Sequence, residues 1–169
     1  MESVDAAILR AARAQLALRG YAQMSVNDIA RAAGVSKPTI YLRYPTKAQI
    51  ALAALEALSR DPERVGMETS TTVRNCLSRF DEECQRINAI GLFAAVLLER
   101  EETPELIDAL NRHFIGPWAA AIRRLTARHP GSDARARIVL AMGVFLTTNT
   151  VGSARQTWMR YAEQLLLSL

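Results

Sequence analysis

Residues 25–47 read SVNDIARAAGVSKPTIYLRYPTK, and helix starts alternate with helix stops along this run. Ser25 is placed to cap a helix, and Asp28 three residues on is an acidic variant of the capping box. Val26, Ile29 and Ala33 fall at i, i+3 and i+7, one face of a helix. Gly34 stands at the stop position, where a left-handed backbone costs a residue with a Cβ more. Ser36 is a second N-cap, and Pro38 falls in the first turn, where its missing N–H does no harm. Ile40 and Tyr44 lie four apart on that helix; Pro45 ends it, and Thr46 is placed to cap the next. Two helices joined by so short a turn form a helix-turn-helix, whose second helix can enter a DNA major groove.

The flanking sequence extends this unit. Residues 3–19 predict a first helix capped by Ser3, with Ile8, Ala12 and Leu16 as its apolar stripe, and ended by Gly20. Thr46 to about Ser59 predicts a fourth helix that is apolar on more than one side, which suits a mechanical link between two parts of the chain. Pro62 and Gly66 both interrupt helix, so residues 60–68 are the expected boundary. The resulting division is 1–47, a connecting helix over 48–61, and a larger part over 62–169.

In the larger part, a helix is expected from about Thr69 to Arg86, with Val73, Leu77, Phe80, Cys84 and Ile87 spaced as one stripe. Residues 88–100 are nearly all apolar and are expected to be central. Thr103-Pro104-Glu105 is a start signal, and the helix after it is expected to turn Leu106, Ile107, Leu110 and Phe114 inward. Gly116-Pro117 is expected to break or kink that helix, with Trp118 to about Arg128 continuing. After the loop His129-Pro130-Gly131, helices are expected to about Val151 and from Ala154 to Leu167. The sum is an all-α chain of about nine helices.

Composition supports this class. Half of the 169 residues are hydrophobic, few are aromatic, and helix-favouring Ala, Leu, Arg and Glu abound. No apolar run is long enough to span a bilayer, and the first ten residues carry acids where a secretion signal needs bases, so a cytoplasmic protein is expected. The net charge is +4, and its placement is informative. Residues 1–60 hold eight bases and four acids, whereas the rest is balanced at thirteen of each. The excess positive charge, including both lysines of the chain, Lys37 and Lys47, lies with the helix-turn-helix, as phosphate binding requires.

Catalytic chemistry leaves no trace: no Ser/His/Asp ordering, paired carboxylates or phosphate loop is visible. Cys76 and Cys84, eight residues apart on one helix, would sit roughly 12 Å apart and cannot form a disulfide with each other. With two distant histidines they make no metal-ligand cluster, and no cofactor is expected.

Gly20-Tyr21, Ser25-Val26, Asp28-Ile29-Ala30, Ala33 to Ser36, Thr39-Ile40-Tyr41, Tyr44-Pro45 and Lys47 together resemble the DNA-binding region of the tetracycline-repressor (TetR/AcrR) family of bacterial regulators. The resemblance covers roughly residues 5–55. It implies a three-helix DNA-binding domain, a larger helical ligand-binding and dimerisation domain, and a homodimer formed through the last two helices. A double-stranded operator and a small-molecule effector are the implied partners. Tyr41 and Lys47 carry phosphate roles, which Ser25 and Tyr44 can share. Lys37, Pro38 and Thr39 face bases, Arg43 reads guanine or binds phosphate, and Asn27 meets a base or the backbone. Leu42 stands where relatives can have larger or polar residues, and no base contact is assigned to it. Phe80, Phe93, Leu97, Phe114, Trp118, Phe145 and Asn149 are candidate ligand-pocket residues, with ordinary core as the competing role and, for Asn149, the dimer interface. The alternative function is a helical module that binds a small molecule or a protein without specific DNA binding.

Overall fold

The computed structural model describes residues 3–61 and 70–127. Pro62, Gly66, the loop expected at His129, the two helices expected after it and the pocket candidates Phe145 and Asn149 lie outside them. Among the described residues there are eight α-helical segments and no strand. They run α1 (Val4–Gln23), α2 (Val26–Ala33), α3 (Lys37–Arg43), α4 (Lys47–Glu56), α5 (Val73–Arg86), α6 (Ala89–Leu98), α7 (Pro104–Leu110) and α8 (Gly116–Thr126).

The helix starts follow the local chemistry of the sequence. Ser3, Ser25, Ser36 and Thr46 each accept a hydrogen bond from a backbone N–H three residues on, satisfying a donor the first turn leaves open. At Thr46 the bond is reciprocal, because Gln49 reaches back to the Thr46 N–H. The expected acidic capping box at Ser25 is half made: Ser25 Oγ accepts from the Asp28 N–H, while the Asp28 carboxylate is taken by Arg31. Gly34 closes α2 at φ 67°, ψ 30°. Gly20, at φ 77°, breaks α1 as expected, but one further helical turn follows it to Gln23. Helix α4 is shorter than expected and passes into a 3₁₀ turn over Ala57–Arg60.

Contacts divide the chain into two compact units, one of Met1–Arg64 and Cys84–Ile115, the other of Val65–Glu83 and Gly116–Leu169. In the first, α1 packs against α2, α4 and α6, and α4 packs against α7. Its core is Ile8, Leu16, Ile29, Ile40, Ile50, Leu55, Leu58, Leu92 and Phe114, all fully buried. Burying one such side chain contributes about 1.5–3 kcal/mol, so each short helix is held mainly by its neighbours.

The α1–α6 contact is unusually close. Asn88 caps α6 from a left-handed conformation (φ 51°), which asparagine tolerates better than most residues. Its side-chain oxygen accepts from the Gly91 N–H, and its amide N–H₂ donates to the Ala17 carbonyl of α1 at 3.4 Å. A Cβ on Gly91 would stand 2.0 Å from that same carbonyl oxygen. Glycine is therefore required there by the neighbouring backbone. Beside this joint, Asp61 accepts from Arg13 of α1 at 3.4 Å and from Arg86 of α5 at 3.0 Å.

Two expectations for α6 and α7 are corrected. The apolar run of α6 buries Ala89, Leu92, Ala95 and Val96, but Leu97 and Leu98 are 52% and 83% exposed. A helix has only one face toward the core, so a run apolar all round leaves some residues outside. In α7, Leu106 and Leu110 are buried while Ile107 is half-buried. The break expected at Gly116-Pro117 takes the form of a π-helical turn over Asn111–Ile115, after which α8 starts at Gly116. Proline offers no N–H to the preceding turn, and a single wider turn within a helix is the form in which the rare π-helix mostly occurs. Within that turn His113 Nδ1 lies 3.1 Å from Ser59 Oγ. Ser59 spends its own proton on the Glu56 carbonyl, so His113 is the donor.

Helix α5 starts at Val73, with Thr72 at its head, rather than near Thr69. The stripe Val73, Leu77, Phe80, Cys84 and Ile87 is buried as expected, and Cys76 is buried as well. Neither cysteine is in a disulfide. Burial pushes the Cys76 thiol up to about 11, with Arg124 and Arg79 acting weakly the other way.

Candidate nucleic-acid interface

Helix α3 turns one residue, Ile40, fully into the core. At 100° per residue, Lys37, Tyr41, Pro38 and Leu42 then fall on one arc away from Ile40, and all four are exposed. Tyr41 is 45% exposed and Leu42 82%. An exposed cation, phenol and two apolar side chains on a short capped helix form a surface able to meet base edges and phosphates together. Thr39 is half-buried, and its hydroxyl is 2.8 Å from that of Ser36. Asn27 is exposed near the start of α2, while Ser25 is half-buried with its oxygen used as a cap.

Lys47 begins α4, and its ammonium is already placed. Nζ donates to the Ala22 carbonyl at 3.0 Å and lies 4.6 Å from the centre of the Tyr21 ring. The cation is thus steered by a carbonyl and an aromatic face together. Burial, and then the charge of Glu99, raise the ionisation of the Tyr21 phenol above its ordinary value.

Arg43 and Tyr44 are positioned differently from the other sequence candidates. Arg43 falls on the far side of α3 from the Lys37–Leu42 arc. Its Nε is 2.9 Å from Asp5 Oδ1, in the first turn of α1. The Tyr44 hydroxyl donates to the same oxygen at 3.5 Å. Burial, then the Asp5 charge and this hydrogen bond, raise the Tyr44 phenol's ionisation; Arg43 and Arg60 act against that rise.

Two residues of this region escape the sequence reading. Leu42 is assigned no base contact there, although its position four after Pro38 puts it on the same exposed arc. Asp5 carries no signal, since its partners are 38 and 39 residues away.

The candidate pocket residues fall in both units. Phe93 and Phe114, in the first, meet edge-to-face at 6.3 Å, with Leu97 on the exposed end of the same helix as Phe93. Phe80 and Trp118, in the second, meet edge-to-face at 5.4 Å. The buried Trp118 Nε1 has no hydrogen-bond acceptor among the described residues. No group of three or more metal-ligating side chains occurs among the described residues, and no helix there is long and apolar enough to cross a membrane.

Among the described residues, a capped helix-turn-helix, an outer α3 face open to solvent and the excess positive charge in the same segment make the kind of surface that helix-turn-helix DNA-binding proteins present. Residues 8–54 match the family model for bacterial regulatory proteins of the tetR family. The match spans α1 to α4, the helix-turn-helix part of the chain. The HTH-type transcriptional regulator Rv1556 of Mycobacterium tuberculosis is 32% identical over 108 residues, which are 62% of this chain and 52% of that protein. The chain thus spans about half the length of the curated relatives it matches there. Among solved structures, the transcriptional regulator FadR of Bacillus subtilis, in complex with stearoyl-CoA, superposes with a TM-score of 0.69 at 21% identity, covering 96% of this chain and 97% of that one. A transcriptional regulator of Saccharomonospora viridis in complex with choline gives 0.65 at 24% identity, covering 96% and 92%. These likenesses establish the fold.

Proposed function

We propose that this chain is a ligand-responsive transcriptional repressor that binds a palindromic operator as a homodimer and leaves it when a small molecule binds. The observation that carries the reading is the α3 face of Lys37, Pro38, Tyr41 and Leu42, held outward by the burial of Ile40. Lys37 donates to guanine, and Pro38, Thr39 and Leu42 offer apolar contact to thymine methyl groups. Tyr41 and Lys47 hold phosphates, with the capped N-terminus of α4 adding its N–H groups. Asn27 and Ser25 approach the backbone from α2. Two such heads on a two-fold axis read half-sites about one DNA turn or more apart. The dimer forms through the last two expected helices, and the protein works in the cytoplasm and catalyses no reaction.

The effector is largely apolar. For this effector each unit by itself offers candidate contacts: Phe93, Leu97 and Phe114 in the first, and Phe80 and Trp118 in the second; Phe145 and Asn149 are candidates from the sequence alone. The Trp118 N–H, buried without an acceptor among the described residues, supplies a donor for a polar group on it. The bound complexes of the FadR and Saccharomonospora regulators support a ligand of some kind in this fold. A ligand that fits one arrangement of the helices better shifts the population toward it and away from the spacing the operator needs. Gel-shift titration on specific and random duplexes tests the DNA reading. Tyr41→Ala and Lys47→Ala should weaken binding to every duplex, and Lys37→Ala should change sequence preference. Unchanged preference would remove Lys37 from the base-reading set. A thermal-shift screen of metabolites, repeated with Phe93→Ala, tests the pocket; no stabilising compound would count against it.

A further inference from the structure

We propose that Asp5 is a positioning residue that acts as an anionic brake on DNA binding, through Arg43. The inference rests on the reading of α3 as the DNA-facing helix. Arg43 is the last residue of that helix and lies off its outward arc, so base edges are out of its reach and phosphate is its remaining target. Its Nε is held 2.9 Å from Asp5 Oδ1, and the same oxygen accepts from the Tyr44 hydroxyl at 3.5 Å. One carboxylate on α1 therefore occupies two of the donors that the end of α3 offers to a phosphate.

The pair is no brace for the fold. The side chains of Asp5 and Arg43 are 56% and 37% exposed, and an ion pair so open to water contributes little to stability. The same exposure lets a phosphate compete for the guanidinium. While Asp5 holds it, the guanidinium is kept from that phosphate, and opening the pair leaves Asp5 as an anion beside the duplex at a cost in affinity. The burial of Ile8 and Ala12 anchors α1 against the head, so the carboxylate cannot withdraw far.

Full-length wild type, Asp5→Asn, Asp5→Glu, Arg43→Ala and Asp5→Asn/Arg43→Ala, titrated with a random-sequence duplex between about 50 and 200 mM salt, test this. Asp5→Asn should bind about two- to fivefold more tightly, the range of one exposed pair. Its plot of log affinity against log salt should steepen by about one unit, the increment of one added phosphate contact. Asp5→Glu should restore wild-type affinity and slope. The gain should vanish in the Arg43→Ala background. Three results would overturn the proposal: an Asp5→Asn protein with unchanged slope, one that binds more weakly, or a gain that persists without Arg43. Wild-type protein that binds no duplex at any salt would instead overturn the DNA-binding reading itself.

Discussion

Replacing Gly91 by alanine sets two physical effects of opposite sign against each other. Helix propensity alone favours alanine by about 1 kcal/mol, because glycine loses more backbone freedom on folding. The geometry of α6 on α1 says the reverse. The new Cβ would sit 2.0 Å from the Ala17 oxygen, 2.9 Å from the Ala17 carbonyl carbon and 2.7 Å from Asn88 Nδ2, where ordinary contact begins near 3.4 Å. The Asn88 amide can rotate, but the Ala17 atoms belong to the backbone of a packed helix. Helix α6 must retreat by more than an ångström, loosening Leu92 and Val96 and breaking the Asn88–Ala17 hydrogen bond. Overpacking costs typically 1–3 kcal/mol, and a lost hydrogen bond about 1 kcal/mol more. Set against the propensity gain of about 1 kcal/mol, a net loss of about 1–3 kcal/mol is expected. For a chain of this length that lowers Tm by roughly 2–12 °C. Thermal unfolding followed by far-UV circular dichroism, with both proteins at one concentration so that any association is matched, measures it. A Tm unchanged or raised by a few degrees would show that α6 does not approach α1 this closely.

Three further outcomes follow from the same geometry. Ser36→Ala removes the oxygen that accepts from the Thr39 N–H at 3.2 Å, at a cost of about 1 kcal/mol; Tm should fall by roughly 2–4 °C and duplex affinity with it, as α3 frays at the end bearing Lys37. Cys76, buried and with its thiol pushed up to about 11, should resist thiol reagents at neutral pH in the folded protein and react fully once the protein is denatured. Because the unfolded thiol ionises near 8.5, the unfolded chain gives up that proton first, so stability should fall from about pH 9 to 11; Cys76→Ala should show a shallower fall over that range in pH-dependent melting.

What the sequence makes legible is local. Each helix start from α1 to α4 depends on a side chain and an N–H three residues apart, and Gly34 on one backbone angle, so Ser25, Gly34, Ser36 and Thr46 are readable from residue order alone. The α5 stripe is legible because one side of that helix is polar. Helix α6 is not, since an apolar run without a polar face does not say which residues stay outside, and Leu97 and Leu98 do. The decisive long-range contacts leave no local mark. Asn88 and Gly91 meet an alanine carbonyl some seventy residues earlier, Asp5 reaches Arg43 across the head, and Lys47 is steered by Ala22 and Tyr21. Leu42 is within reach of sequence reasoning, because rotation by 100° per residue already sets it beside Pro38.

Selection of bound duplexes from a random-sequence pool tests the central claim most directly, that the outward face of α3 reads DNA. Wild-type protein should enrich an inverted repeat whose half-sites lie about one helical turn or more apart, and Lys37→Ala should change the bases enriched within each half-site. A pool that stays random after repeated rounds with wild-type protein would contradict it.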